Sequence, residues 1–180
     1  MIKFCTQCAA PTAQRVPEGD SLLRDVCTRC GHIHYENPKL VVGCVAEWEG
    51  RILLCRRAIE PRLGLWTLPA GFMENSETTA EAAARETQEE ACATVQIAAP
   101  FAMVNVAHIS QVHLFYRGHL TTPEFGPGPE SLDVSLVLEN EIPWDELAFR
   151  SVTTCLERYL SDRKVGHFSF HSIDLSPLSH

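Results

Sequence analysis

No apolar run in the sequence approaches the roughly 20 residues needed to span a bilayer. The opening stretch MIKFCTQCAAPTAQ lacks the long apolar core of a signal peptide, so a cytoplasmic protein is the simplest expectation. Positive charge is scarce. Lysine and arginine number 15 against 23 aspartates and glutamates, for a net charge of −8. That balance argues against a general nucleic-acid partner, whose affinity would rest on neutralising phosphates. It leaves an anionic small substrate open, because a divalent cation can reverse the local sign. Repeats and long low-complexity tracts are also missing, the nearest being the Pro/Gly-rich stretch TTPEFGPGPES at residues 121–131. What remains is a chain of 180 residues, 45% hydrophobic and 21% charged, which is the composition of one ordinary globular domain with room for a small appendage.

The appendage is announced by cysteine. Cys5-Thr-Gln-Cys8 and Cys27-Thr-Arg-Cys30 are two C-x-x-C pairs separated by 18 residues. Each pair can turn two thiolates inward on a tight knuckle, and two knuckles complete the closed tetrahedron that structural zinc prefers. Gly31 directly after Cys30 suits such a turn, and Pro17-Glu-Gly-Asp20 is a turn signal between two short potential strands. Iron in a four-thiolate site is the chemical competitor. Redox pairs fit less well, since neither C-x-x-C opens a helix. A segment this short buries too little core to fold alone, so the metal would supply much of its stability. Cys44, Cys55, Cys92 and Cys155 have no partners at ligand spacing and read as small buried hydrophobes. His32 and His34 read as surface polar residues.

Beyond Pro38 the pattern becomes that of a mixed sheet. Residues 40–48 and 51–58 form a hairpin signal about Glu49-Gly50, and further strands are expected at 63–71, 94–97, 103–108, 110–120 and 132–138. Helical pattern occurs at 78–92, opened by the capping box Thr78-Thr-Ala-Glu81, and at 151–163. Two helices about such a sheet make an α/β sandwich the natural architecture, and the order is not a regular βα alternation.

The first helix carries the chemistry. Glu86, Glu89 and Glu90 share one face, since i, i+3 and i+4 are neighbours, and Arg85 is the only cation in the helix. A merely solvated face would alternate signs. Small alanines at 82 and 93 would let the loop Leu68-Pro-Ala-Gly-Phe72 approach. Clustered carboxylates beside a carbonyl-bearing loop make a hard oxygen site of the kind magnesium and manganese prefer, with a solvated acidic face as the alternative.

Gly71, five residues, Glu77, seven residues, then Arg85-Glu86-Thr-Gln-Glu89-Glu90 resembles the Nudix box, and LLCRR…LWTLPAG resembles the family's approach to it. Cys92 stands where the box has glycine, Ala93 where it has an aliphatic residue, and Thr87 replaces the usual aliphatic residue. The resemblance implies an α/β fold, a Nudix-type α/β/α sandwich with a mixed sheet over residues 37–180, preceded by a small zinc ribbon at 1–36. It implies that Glu86, Glu89 and Glu90 ligate Mg2+ or Mn2+ with help from the Gly71 carbonyl, while Arg85 and Glu77 form an orienting pair. The general base would be in the helix or on a later loop, where Glu130 and Asp133 are the candidates. Arg56 and Arg57 close a strand beside the site; one of them, assigned to Arg57, could contact a substrate phosphate, since only one can face inward. Phe72 is expected to pack on its loop.

The implied reaction is hydrolysis of the pyrophosphate bond of a nucleoside diphosphate linked to another moiety, ADP-ribose, FAD or NADH-like, with release of a mononucleotide. The SQPWPFPxS stretch of NADH pyrophosphatases is absent, which leans the reading to ADP-ribose or FAD. Two other readings stay open, a nucleotide-binding regulator and an RNA-end processing protein. Residues 1–36 carry four basic against four acidic residues, so composition gives the ribbon no basic patch for RNA. A homodimer is a family expectation. Zinc analysis should find one tightly held zinc per chain, lost when Cys27→Ser and Cys30→Ser are combined; retention of the metal in the double variant would overturn the four-thiolate site.

Overall fold

The computed structural model describes residues 1–177 in two compact units, Met1–Asn37 and a second beginning at Pro38. Residues 178–180, the end of the domain expected at 37–180, lie outside the described residues. In the first unit, strands β1 (Thr12–Arg15), β2 (Arg24–Cys27) and β3 (Ile33–His34) form an antiparallel sheet in that order. The turn signal lies between β1 and β2, where the Asp20 amide donates to the Pro17 carbonyl at 3.1 Å. Asp20 also pairs with Arg24 at 2.9 Å, fastening the turn to the start of β2. The sequence pattern had offered two strands here; β3 is a two-residue addition. His34 is buried while His32 is exposed.

The second unit is a mixed sheet between two helices. Its strands are β4 (Lys39–Trp48), β5 (Arg51–Arg57), β6 (Trp66–Thr67), β7 (Ala70–Phe72), β8 (Val95–Val106), β9 (Gln111–Leu120), β10 (Ser131–Val137) and β11 (His171–Asp174). The main order is β10-β5-β4-β9-β8-β11, with β6 beside β5 and β7 beside β4. Pairings β4–β9 and β8–β11 are parallel and the others antiparallel.

Side-chain alternation divides the core. From β4 and β5, Val42, Cys44, Ala46, Leu53 and Cys55 point to helix α1 (Thr79–Ala91), while Val45, Ile52 and Leu54 point to helix α2 (Arg150–Val165). Cys155 belongs to the α2 side, so three of the four unpaired cysteines are core residues. The α1 layer is thin because the helix faces the sheet with Ala82, Ala83 and Ala91. The α2 layer is thicker, built on Val152, Leu156, Tyr159, Leu160, Phe101 and Phe115.

Three boundaries differ from the pattern-based expectation. The strands expected at 94–97 and 103–108 are one strand, β8, whose register against β9 shifts on both sides of Pro100. Proline has no N–H to give the ladder, and a bulge absorbs it without ending the strand. The segment 63–71 divides into β6 and β7 about Leu68-Pro69, pairing with different neighbours. β11 had no visible pattern, because a four-residue strand pairing parallel to a remote partner leaves little periodicity to read.

Phe101 is 1% exposed and its ring centroid lies 5.9 Å from Tyr159, 6.1 Å from Phe168 and 5.1 Å from His171, joining β8, α2 and the segment leading into β11. Phe101→Ala should cost about 3–5 kcal/mol of stability. Leu132→Ala, at a site 55% exposed, should stay within about 0.5 kcal/mol of wild type. Urea unfolding of the two variants checks this pair.

Candidate functional site

In the first unit the four thiols converge. Cys5 and Cys30 Sγ are 3.7 Å apart, Cys8 and Cys27 3.4 Å, and Cys8 and Cys30 3.5 Å. Among the described residues they are the one group of three or more metal-ligating side chains whose ligand atoms all lie within 4.8 Å of one another. The amides of Cys30 and Arg29, each 3.4 Å from Cys27 Sγ, hold that thiol down to about 6. A thiolate that forms this readily and a closed set of four sulfurs suit zinc.

In the second unit, α1 is fixed at both ends. Thr78 accepts the Glu81 amide at 3.2 Å, and the Glu81 carboxylate accepts the Thr78 amide at 2.7 Å, completing the capping box. At the other end Cys92 adopts φ +49° and ψ +27°, the left-handed conformation that glycine takes more easily. The substitution at that position of the box therefore keeps the backbone shape at a local cost of roughly 1–2 kcal/mol. Cys92 is exposed, against the expectation of burial, because a left-handed cap turns its side chain out of the helix face. The last two helix carbonyls are capped by the Pro/Gly-rich loop: Gly126 N–H donates to Ala91 O at 2.8 Å and Gly128 N–H to Glu90 O at 3.1 Å.

Arg85 holds the carboxylates in place. Its Nε and Nη2 grip Glu77 at 3.0 and 2.8 Å, Nη1 donates to Glu86 at 2.8 Å and Glu89 at 3.0 Å, and Nη2 also reaches the Phe72 carbonyl at 3.1 Å. The pairing expected with Glu77 alone is thus a hub for three carboxylates. Glu89 is exposed, whereas Glu86 and Glu90 are buried. Glu86 lies directly over Gly71, where a Cβ would fall 2.4 Å from its carboxylate, so a side chain at 71 would close the site. Burial raises the Glu86 carboxyl above its ordinary range. Burial pushes the Glu90 carboxyl up to about 8, although the Ala70 amide donates to it at 3.1 Å. Glu90 has no ion-pair partner among the described residues. Two buried carboxylates beside an open backbone form a hard oxygen donor set that a divalent cation fits.

These groups line one end of a cavity of about 1000 Å³. Gly71, Arg85, Glu86, Glu89, Glu90, Arg57 and Glu130 all border it, whereas Glu77 braces Arg85 from outside. The arginine pair divides as strand alternation requires: Arg57 is buried, with Nε donating to Pro61 O at 2.9 Å and its guanidinium 5.1 Å over the Phe149 ring, and Arg56 is exposed. The backbone of Glu130 is tied to the end of β5 by the Ala58 amide at 2.8 Å. Asp133 does not border the cavity; its carboxylate accepts the Val134 amide at 2.9 Å. Phe72 is 50% exposed and borders the cavity, so it does not pack into its loop as expected. Away from the carboxylates the cavity is walled by Val106, Ile109 and Phe115, with Gln111, His113 and Ser151 among them, and Phe149 lies under the Arg57 guanidinium. Sequence reading had passed over these residues, since isolated polar residues in a strand or at a helix start carry no motif.

Residues 3–36 match the family described as Nudix N-terminal, a zinc ribbon, and residues 37–153 match the NUDIX domain. The chain belongs to the Nudix pyrophosphohydrolase family. Its zinc-ribbon segment places it among Nudix proteins that carry this N-terminal module. A crystal structure of a Nudix hydrolase from Nitrosomonas europaea superposes with a TM-score of 0.95 at 50% identity, covering 98% of this chain and 100% of that one. An ADP-ribose pyrophosphatase from Streptococcus suis shares the fold at 20% identity and a TM-score of 0.61, over 77% of this chain and 100% of that one. Phosphatase NudJ of Escherichia coli K12 is 45% identical over 53 residues, 29% of this chain. That match spans about a third of the curated relative, 34% of its length. No helix among the described residues of this Nudix protein is long and apolar enough to cross a membrane.

Arg85 gives a pH test of the Nudix helix. Its hydrogen bonds, with the Glu74 amide second, hold the Glu77 carboxyl down to about 2 from an ordinary value near 4.5. A depressed carboxyl stabilises the fold above the unfolded value, so this contribution should be complete above about 4.5 and lost as pH falls through about 2. In Arg85→Gln the Glu77 carboxyl should titrate well above its wild-type value, short of 4.5 by the part the Glu74 amide still holds, as read by carboxyl-carbon NMR on the metal-free protein. An unchanged titration would overturn the role given to Arg85.

Proposed function

We propose that the chain hydrolyses the diphosphate bridge of a nucleoside diphosphate linked to a second moiety, of the ADP-ribose, FAD or NADH type, and releases a mononucleotide. The observation that carries this reading is the pair of buried carboxylates, Glu86 over Gly71 and Glu90 on the Ala70 amide, bordering a cavity large enough for a dinucleotide-like molecule. Burying two carboxylates is unfavourable unless positive charge or a proton compensates them, and Glu90 has no cationic side chain bonded to it.

Glu86, Glu89, Glu90 and the Gly71 carbonyl would hold magnesium or manganese, which when bound neutralises the diphosphate oxygens and acidifies water. The remaining work belongs to the chain itself. Arg85 fixes Glu86 and is itself fixed by Glu77, so the buried carboxylates keep one orientation. Glu89, exposed and bonded to Arg85, borders the cavity from the solvent side. Arg57, immobilised by Pro61 and Phe149, offers its guanidinium edge to a phosphate oxygen. Glu130, at the cavity border and held through its backbone, is the side chain assigned to take the proton of the attacking water. The same reading includes a homodimer and no nucleic-acid partner. The names of similarly folded proteins supply ADP-ribose as the first compound to try.

The test is a panel of ADP-ribose, FAD, NADH, diadenosine polyphosphates and nucleoside triphosphates with magnesium or manganese, following mononucleotide and phosphate release. Wild type should release a mononucleotide from one of the dinucleotide-like compounds, and Glu89→Gln should lose at least about 100-fold. Absence of metal-dependent turnover on every compound would sink the hydrolase reading and favour a nucleotide-binding regulator.

A further inference from the structure

The far end of the cavity contains a hydrogen-bonded relay that the proposed hydrolysis does not use. His113 is buried on β9, with Nδ1 2.9 Å from Ser151 Oγ at the start of α2 and Nε2 2.9 Å from Gln111 Oε1. Burial lowers the His113 pKa, so the ring is neutral near pH 7 and carries one N–H. A carboxamide oxygen can only accept, which places that hydrogen on Nε2; Nδ1 then accepts from the Ser151 hydroxyl. The relay runs from Ser151 through His113 to Gln111 and turns the Gln111 oxygen toward the ring. The Gln111 N–H2 group is left with no partner among the described residues, at a position that borders the cavity. His113 and Ser151 are buried and satisfy each other, whereas Gln111 is half-buried and its unpaired N–H2 group stands at the cavity border.

The sheet sets the distance. Val41 of β4 pairs with His113 on one side and with Phe72 on the other, and Gly71 precedes Phe72. Two interstrand spacings of about 4.8 Å therefore separate His113 from Phe72 across β4, on the order of 10 Å. Phe72, half exposed, presents aromatic surface to the same cavity, suited to stacking on a flat ring.

We propose that Gln111, oriented by His113 and Ser151, is a specificity-determining residue whose carboxamide N–H2 donates to an acceptor on the uncharged ring of the substrate's nucleobase. Gln111 contacts the ligand; His113 and Ser151 are positioning residues. The inference rests on the pyrophosphohydrolase reading for the placement of the diphosphate at the other end, and its test is a binding measurement that needs no turnover.

Calorimetry on the full zinc-loaded chain with magnesium would compare three probes: α,β-methylene-ADP, methylenediphosphonate and ribose 5-phosphate. Gln111→Leu should weaken α,β-methylene-ADP about tenfold, the worth of one good buried hydrogen bond, and leave the other two within about twofold. Ser151→Ala should weaken the same probe less, and should shift the 15N signals of the His113 ring away from the pure Nε2–H tautomer of wild type. Gln111→Met supplies the same comparison if the leucine variant does not fold. Unchanged affinity for α,β-methylene-ADP overturns the proposal, as does an equal loss for methylenediphosphonate, which reports a collapsed cavity. A loss shared by ribose 5-phosphate also overturns it, because the donor would then read sugar. A selective loss in a protein that hydrolyses nothing would leave the subsite standing and remove only the hydrolase reading.

Discussion

All five N–H donors of Arg85 are used, two on Glu77, one each on Glu86 and Glu89, and one on the Phe72 carbonyl. A helix that places three carboxylates at i, i+3 and i+4 repels itself, and the repulsion grows as two of them leave water. A single planar cation within the same helix offsets it and also ties the helix to the strand that ends at Phe72. Lysine could not do this, because three donors on a flexible stem cannot span four acceptors. The geometry of the cavity's acidic end follows from that constraint: Glu86 is held over Gly71, Glu90 is left to the Ala70 amide, and Glu89 stays near the surface.

The two buried carboxylates also account for the thinness of the α1 layer. Large side chains at 82, 83 or 91 would lift the helix from the sheet and pull Glu86 away from the loop; alanine keeps the approach close. Packing is instead concentrated on the α2 face, where Phe101, Tyr159 and Leu156 fill the space between sheet and helix. One side of the sheet is thus built for stability and the other for bringing charged groups close to backbone.

The features legible in the sequence were those with local spacing. The two C-x-x-C pairs, the capping box, the Glu49-Gly50 hairpin and the three carboxylates each lie within a few residues of their partners, so periodicity and turn chemistry reveal them. Arg57 was also within reach, because alternation along β5 allowed only one of two adjacent arginines to face inward. Features made by distant pairing were hidden. His113 meets Ser151, 38 positions later, because β9 delivers its first residues to the start of α2, and Gln111 joins through His113. Phe149 gains its meaning from Arg57, which is 92 positions earlier in the chain, and the pattern around either residue says nothing of the other. The same holds for β11, and for β8, where a proline that normally ends strands is absorbed by a bulge.

The loop that caps α1 has a consequence for how this protein can vary. A Cβ on Gly128 would fall 1.7 Å from the Glu89 carbonyl oxygen, so no other residue fits there without parting the loop from the helix. Between Gly128 and Glu130 there is one proline, and Glu130 is pinned on its far side to the end of β5. The segment is therefore a short clasp with fixed ends, and Glu130 cannot drift relative to the glutamates of the helix. Insertions and deletions have room only upstream of Gly126, in residues 121–125, where the chain is exposed and no helix carbonyl waits for an amide. Natural length changes in this loop should thus leave the acidic end of the cavity undisturbed while remodelling the surface above it.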